Sequence, residues 1–273
     1  MKKKPLIVFK YGGNAMTNDS LKVRLLENIV ALCKNGFNVI ISHGGGPFIK
    51  KMLNEVKLES EFVDGLRVTT PQAFDYIEMV LKGKVNSDLV NTINKLNHKA
   101  VGLSGIDGKT IMAKKRKHNK IVNGKEELID LGRVGDVSKI NPVLIDLLLQ
   151  NDFIPVIACI AADENGIGYN INGDTFAGTL AGELKAEQFI VLTDVDGLLR
   201  DKDNPESIIK TINFAELEIL KADGIIQGGM IPKIEACQIA INKGAKTAKI
   251  LNGTKPEQIL TLDENKFGTL IYK

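Results

Sequence analysis

The sequence predicts an α/β fold: a mainly parallel open sheet covered on both faces by helices. Three observations lead there. Six short runs rich in β-branched residues are apolar throughout rather than alternating, as strands buried on both faces are. Longer segments of helical apolar period separate them. No Pro- or Ser-rich linker divides the chain, so any two lobes share one continuous sheet. At roughly 100–200 residues per domain, 273 residues allow one large or two intermediate domains.

In chain order, the strands fall at residues 6–9, 39–42, 100–103, 154–160, 189–193 and 247–251, each bounded by Gly, Pro, Asn or Asp. Leu21, Leu25, Ile29 and Leu32 form a helical stripe between the first two. Phe74, Ile77, Leu81, Val85, Leu89, Ile93 and Leu96 form one apolar stripe on a long helix, and Ile234, Cys237 and Ile241 a shorter one. Residues 110–136 break the alternation with short strand-like pieces and many charges, which predicts hairpins projecting from the sheet. The run Lys114-Lys115-Arg116-Lys117-His118 has no interleaved aromatics, so it reads as a solvated hairpin tip and not a nucleic-acid patch.

Composition closes off other classes. With 44% hydrophobic and 25% charged residues, the chain is an ordinary core-burying protein, neither disordered nor fibrous. A net charge of +3 is too small to require nucleic acid or a membrane surface as partner. Cys33, Cys159 and Cys237 stand alone, with no zinc spacing and no disulfide framework, and read as buried free thiols. The start Met1-Lys2-Lys3-Lys4 resembles a signal n-region, but Lys10 interrupts the apolar stretch before the roughly 7–15 residues a signal needs. The apolar run 153–162 is far short of the roughly 18 residues of a membrane span. The expected location is a reducing cytoplasm. Glycine is the useful excess: 26 glycines against 5% aromatics mean that somewhere backbone has to approach closely.

Ligands of open α/β sheets lie beyond the carboxyl ends of the strands. The first strand is followed by Lys10-Tyr11-Gly12-Gly13-Asn14, the second by His43-Gly44-Gly45-Gly46-Pro47. Consecutive glycines read alone as tight turns, but they also let backbone N–H groups reach an anion without a Cβ in the way. A third pair, Gly228-Gly229, opens a helix with Pro232 in its first turn. Lys233 there opposes the helix macrodipole, at about 0.3–1 kcal/mol, unless an anion lies nearby. Lys10 beside Gly12-Gly13 suits a phosphate equally, and the two together point to phosphoryl chemistry. Common nucleotide signatures fail. Gly105-Ile106-Asp107-Gly108-Lys109-Thr110 ends like a P-loop, but Leu103 stands where glycine is required, and neither Gly-rich loop reads G-x-G-x-x-G. Asn170 and Asn172 lie two apart, so in an extended segment both amides face one side and can hold a carboxylate or phosphate. Asp174 two residues on also reads as a helix N-cap. Arg67, in Gly65-Leu66-Arg67-Val68-Thr69, is a further carboxylate candidate through its planar fork.

These residues, with Lys10 to Met16, Gly83 and Val85-Asn86, Gly102-Leu103-Ser104-Gly105, Leu192-Thr193-Asp194-Val195 with Gly197, and Gly229-Met230-Ile231-Pro232-Lys233, occur in the order and approximate spacing of one family. Over essentially its whole length the chain resembles the N-acetylglutamate kinase family of the amino acid kinase superfamily. The resemblance implies an αβα sandwich around a mainly parallel sheet of about eight strands. It implies an N-terminal lobe, 1–178, for the amino acid and dimerisation, and a C-terminal lobe, 179–273, for ATP. The implied reaction transfers the γ-phosphoryl group of ATP to the side-chain carboxylate of N-acetyl-L-glutamate, in arginine biosynthesis. Lys10 and Lys233 would then stabilise the transferring group and Asp174 would orient both. Gly12, Gly13, Gly45 and Gly46 would offer N–H groups along the phosphoryl path, with Gly45 and Gly46 also touching substrate. Arg67 and Asn170 would hold the α-carboxylate, while Thr193, Asp194, Gly197 and Gly229 would border ATP. Mg²⁺ would be held mainly by the ATP phosphates, with no protein metal ligands.

Two departures from the family's arginine-inhibited members, a missing N-terminal helix and a divergent 262–269 segment, give the expectation of an arginine-insensitive homodimer held largely by helix 74–96. Three rivals stay open. One is a relative acting on carrier-bound aminoadipate or on carbamate, and another is a non-catalytic anion-binding member of the fold. The third is a dinucleotide-binding oxidoreductase lacking its fingerprint.

Overall fold

The computed structural model describes residues 4–122, 125–201, 203–262 and 266–273, by backbone alone at 14, 15 and 122. The first strand, β1 (Leu6–Tyr11), is central, and its Ile7, Val8 and Phe9 are at most 1% exposed because both sheet faces are covered. Helix α1 (Asp19–Lys34), capped by the Asn18 side chain accepting from Leu21 N, returns the chain to β2 (Asn38–His43), parallel to β1. Helix α2 (Gly46–Glu55) follows directly, starting at the last glycine of the second loop. The short hairpin β3 (Phe62–Val63) and β4 (Leu66–Arg67) turns on Asp64 and Gly65, both at positive φ, 48° and 79°, as a two-residue type I′ turn requires.

The long helix is continuous but not uniformly α. It runs through α3 (Pro71–Glu78), a π-helical segment Met79–Asn86, and α4 (Ser87–Lys95). The reason is in the spacing. From Ile77 to Ile93 the apolar residues recur every four positions, and on an α-helix sixteen residues at 100° each would rotate the stripe by about 160°. A π turn takes more residues, so the same spacing holds one face, and Ile77, Leu81, Val85, Leu89 and Ile93 are all buried. The stripe is therefore turned into the chain's own core. Met79 is exposed on the opposite face.

After β5 (Lys99–Ser104) come β6 (Ile111–Lys115), the hairpin β7 (His118–Val122) and β8 (Lys125–Ile129), and β9 (Val134–Ile140). Of the expected projecting hairpins only β7–β8 stands out. Strands β6 and β9 close a small four-stranded barrel with two later strands. The basic run is not a free tip either: it lies at the hairpin base, where Lys115 meets Asp130 (2.9 Å), Arg116 meets Asp136 (2.6 Å) and His118 meets Asp64 (2.8 Å). Helix α5 (Val143–Gln150) leads to β10 (Phe153–Ala158). The strand expected at 154–160 breaks at Cys159, where β11 (Ile160–Ala162) leaves the main sheet for the barrel beside β12 (Gly168–Ile171). Helix α6 (Gly173–Glu183), β13 (Gln188–Thr193), β14 (Thr211–Asn213), α7 (Phe214–Ala222), α8 (Met230–Lys243), β15 (Thr247–Asn252) and β16 (Thr269–Tyr272) complete the chain. Residues 263–265 of the divergent 262–269 segment lie outside the described residues.

The main sheet has eight strands in the order β14-β16-β15-β13-β1-β2-β10-β5, antiparallel only between β15 and β16. β1 has β2 on one side and β13 on the other, so the chain reverses its direction of travel across the sheet there. Beyond the carboxyl end of β1 lies the crevice such a reversal creates. Helices α6 and α8 cover the sheet side by side. A Cβ on Gly178 would lie 2.4 Å from Ala236 O, and one on Gly182 2.7 Å from Ala240 O, so the two helices touch backbone to backbone. The pairing of 178 with 236 and 182 with 240 makes them parallel, with both N-termini at one end. The lobe boundary expected after 178 falls inside α6, within one continuous sheet. No helix among the described residues is long and apolar enough to cross a membrane.

Candidate active site

Both glycine loops and the N-terminus of α6 meet in one cavity of about 270 Å³ beyond β1 and β2. Lys10, at the end of β1, lies 3.1 Å from Asp174 Oδ1, with both side chains 12% exposed. A Cβ on Gly12 would stand 2.9 Å from Lys10 Nζ, so this glycine leaves room for the ammonium. Gly13 has φ of +74°, and a Cβ there would meet Asp194 Oδ1 at 3.0 Å. Gly45 and Gly46 line the opposite wall, where a Cβ on Gly45 would strike Leu81 at 2.7 Å.

Arg67 and Asn170 reach the same cavity from separate elements. Arg67 sits on the β3–β4 hairpin, stacked 4.5 Å above the Phe62 ring and donating to Ser60 Oγ. Burial lowers its pKa, but a guanidinium keeps its charge at any working pH. Asn170 Nδ2 donates to the buried Thr69 Oγ1 (3.4 Å), which donates to Arg67 O (2.9 Å), so Thr69 ties the two candidates together. Cys159 also lines this cavity, and burial pushes its thiol up to about 12, so it is no nucleophile.

Two expectations are corrected. Asn172 does not join Asn170: its side chain caps α6, accepting from the backbone N–H of Asp174 (2.9 Å) and Thr175 (3.2 Å). The cap is thus Asn172 and not Asp174, which stands in the first turn with its carboxylate toward Lys10. Of the two lysines, Asp174 is paired with Lys10. Lys233 Nζ donates to Gly229 O (3.0 Å), and among the described residues no ion pair joins it to Asp174. The parallel contact of α6 with α8 nonetheless puts Lys233 and Asp174 at the same end of the two helices.

A second cavity of about 530 Å³ opens beyond β13, against the N-terminus of α8. Gly197 lines it, at φ of +143° and with Thr269 Oγ1 2.7 Å from where its Cβ would be. Thr193 and Asp194 stand between the two cavities, at the end of β13 and beside Gly13, while Gly229 holds the first turn of α8. Val195 and Met230, from the quoted motifs, line it too, and Leu198, Leu199, Arg200, Asp201, Gly224, Ile225 and Gln227, which were not foreseen, complete the wall. Their loops carry no residue pattern that marks a cavity wall in the sequence.

Residues 5–252 match the model of the amino acid kinase family. The chain belongs to that family. Within it the chain is 44% identical over 269 residues to the acetylglutamate kinase of Methanocaldococcus jannaschii, covering 97% of this chain and 90% of that one. It is 45% identical to the acetylglutamate kinase of Clostridioides difficile, at 98% and 91% coverage. Among solved structures, Giardia carbamate kinase superposes with a TM-score of 0.72 over the full length of both chains at 18% identity, which shows a shared fold. The eight-stranded, mainly parallel αβα architecture of this amino acid kinase is the expected one.

Proposed function

We propose that the chain transfers the γ-phosphoryl group of ATP to the side-chain carboxylate of N-acetyl-L-glutamate, a step of arginine biosynthesis. The observation that carries this is the 44% identity to an acetylglutamate kinase across nearly the whole chain. The geometry supports it. Arg67 and Asn170 line a cavity suited to an α-carboxylate, a group carbamate lacks, and Lys10 with two glycine loops lines its other side.

The acceptor carboxylate, with a pKa near 4.3, is already ionised at neutral pH. One of its oxygens attacks the γ-phosphorus, forming the new O–P bond as the bond to the β,γ-bridging oxygen breaks and ADP departs. No proton moves, so no general base is needed. The obstacle is electrostatic, an anion approaching a polyanion, and the protein answers it with fixed positive groups. Lys10, steadied by Asp174, serves the transferring group, and Lys233 at the head of α8 serves the phosphates from the other cavity. The N–H groups of Gly12, Gly13, Gly45 and Gly46 line the path, and the parallel N-termini of α6 and α8 add their dipoles. The adenine nucleotide occupies the second cavity, between Gly197 and Met230. Mg²⁺ would be carried on the ATP phosphates. There it would neutralise phosphate charge.

We further propose a cytoplasmic homodimer meeting on the exposed side of helix 71–95, which light scattering checks. ADP release measured side by side with N-acetylglutamate, glutamate, aspartate and carbamate tests the activity. The reading requires N-acetylglutamate to be preferred, and equal or greater rates with carbamate or a free amino acid would refute it.

A further inference from the structure

His43 is one of three histidines in the chain, is 1% exposed, and takes no part in the chemistry above. Its hydrogen bonds determine where its proton sits. Asn86 Nδ2 lies 2.8 Å from Val156 O, a carbonyl that can only accept, so the nitrogen and not the oxygen of this amide faces that way. The same nitrogen lies 2.9 Å from His43 Nε2 and 3.4 Å from Leu103 O, and its second hydrogen goes to the nearer of the two, Nε2. Nε2 is therefore an acceptor. The ring proton sits on Nδ1, which lies 2.9 Å from Gly44 O and donates to it. Gly102 makes the arrangement possible, since a Cβ there would come within 1.9 Å of Asn86 Oδ1.

Gly44 O belongs to the peptide that carries the Gly45 N–H. A trans peptide is planar, with its C=O and N–H pointing in opposite directions. Holding the carbonyl toward the imidazole therefore turns the Gly45 N–H away from it. Gly45 and Gly46 line the cavity, and Gly45 precedes α2 without any side-chain cap. Three consecutive glycines have no Cβ to limit their rotation, so this peptide needs an external restraint to stay in one orientation.

We propose that His43 is a positioning residue for phosphoryl transfer: locked by Asn86 as the Nδ1–H tautomer, it fixes the Gly44–Gly45 peptide so that the Gly45 N–H is presented to the reacting phosphate. This rests on the reading above that Gly45 borders the phosphoryl path. The lock comes from two fixed acceptors, Val156 O and Gly44 O, with Asn86 handing the pattern from one to the other. Burial supports it by holding the imidazole neutral, its pKa pushed down to about 4.

Two measurements test this. Long-range ¹H–¹⁵N correlation on the ¹⁵N-labelled wild-type protein at neutral pH, with His43 assigned by its loss in His43→Asn, reads the tautomer directly. A protonated Nδ1 beside a bare Nε2 is expected, and a protonated Nε2 overturns the proposal. The second compares turnover. The asparagine amide takes the place of Nδ1 and keeps the donor to Gly44 O, whereas glutamine takes the place of Nε2 and loses it. His43→Ala and His43→Gln should lose at least about tenfold in kcat, with smaller changes in KM, while His43→Asn recovers most of the loss. Equal turnover in the Asn and Gln variants overturns the proposal. If the Gln variant does not fold, the wild-type tautomer and the Ala–Asn comparison decide. Wild-type protein inactive on N-acetylglutamate would instead refute the assigned activity, leaving the tautomer an independent result.

Discussion

Replacing Gly178 by alanine tests how closely α6 and α8 must lie. The new Cβ would stand 2.4 Å from Ala236 O and 3.1 Å from Ala236 Cα, where ordinary contact begins at 3.4 Å. The backbones must therefore separate by 3.4 − 2.4 = 1.0 Å, and because the obstacle is main chain no rotamer change relieves it. Overpacking of this kind costs about 1–3 kcal/mol. In a chain of this length each kcal/mol moves Tm by roughly 2–4 °C, so a fall of roughly 2–12 °C is expected. The displacement also reaches the site, because α8 carries Met230 and Lys233 at the end shared with Asp174. A misplacement near 1 Å lowers turnover by about 100-fold when the moved group serves the transition state. Thermal melting and ADP release from one preparation read both effects. A Gly178→Ala protein that melts and turns over like wild type would refute the close-contact argument.

Other outcomes follow from the site. Lys10→Ala and Lys233→Ala should each lower kcat by at least about tenfold, and near-normal rates in folded variants would remove them from the transition state. Arg67→Ala should act mainly on the KM for N-acetylglutamate; a collapsed kcat with unchanged KM would place it elsewhere. Stability should fall as pH drops from about 6.5 to about 4, because unfolding releases His43 from a site that holds its pKa near 4. The unfolded chain binds that proton first, so the stability is complete above the unfolded value and declines as pH falls. The full span amounts to on the order of 3 kcal/mol. His98, also lowered by burial, adds to the slope in the same window. Urea denaturation of wild type and His43→Asn at pH 7.5 and 4.5 isolates the His43 part, and parallel pH profiles would contradict it.

The strands were legible because each is covered on both faces and hence apolar at every position, a pattern that needs no partner to be read. The two glycine loops that line the cavity were legible too, because each follows directly on an apolar strand. Asn172 was misread because an amide before a helix fits a ligand and an N-cap equally well, and only the orphan N–H groups of Asp174 and Thr175 decide. Lys22 carries no signal in the sequence, yet it is 7% exposed and bridges Asp19 to Asp88 across α1 and α4, a contact between positions 66 residues apart. The basic run Lys114–His118 was misplaced at a hairpin tip for the same reason, its counter-charges at Asp130 and Asp136 being fixed only by strand pairing. The π-helical segment did leave a trace, the unbroken four-residue spacing from Ile77 to Ile93, which no α-helix can keep on one face.

That segment makes helix length a property of the site. Asn86 is its last residue and the one that sets the proton on His43. Deleting a single residue between Met79 and Val85 would let the turns relax toward α, but it would also carry Asn86 round the helix axis by roughly 100°. Its amide would leave Val156 O and His43 together, though every side chain in the cavity kept its identity. Such a deletion would leave Lys10, Arg67, Asn170 and Asp174 in place and remove the reason the second glycine loop faces them.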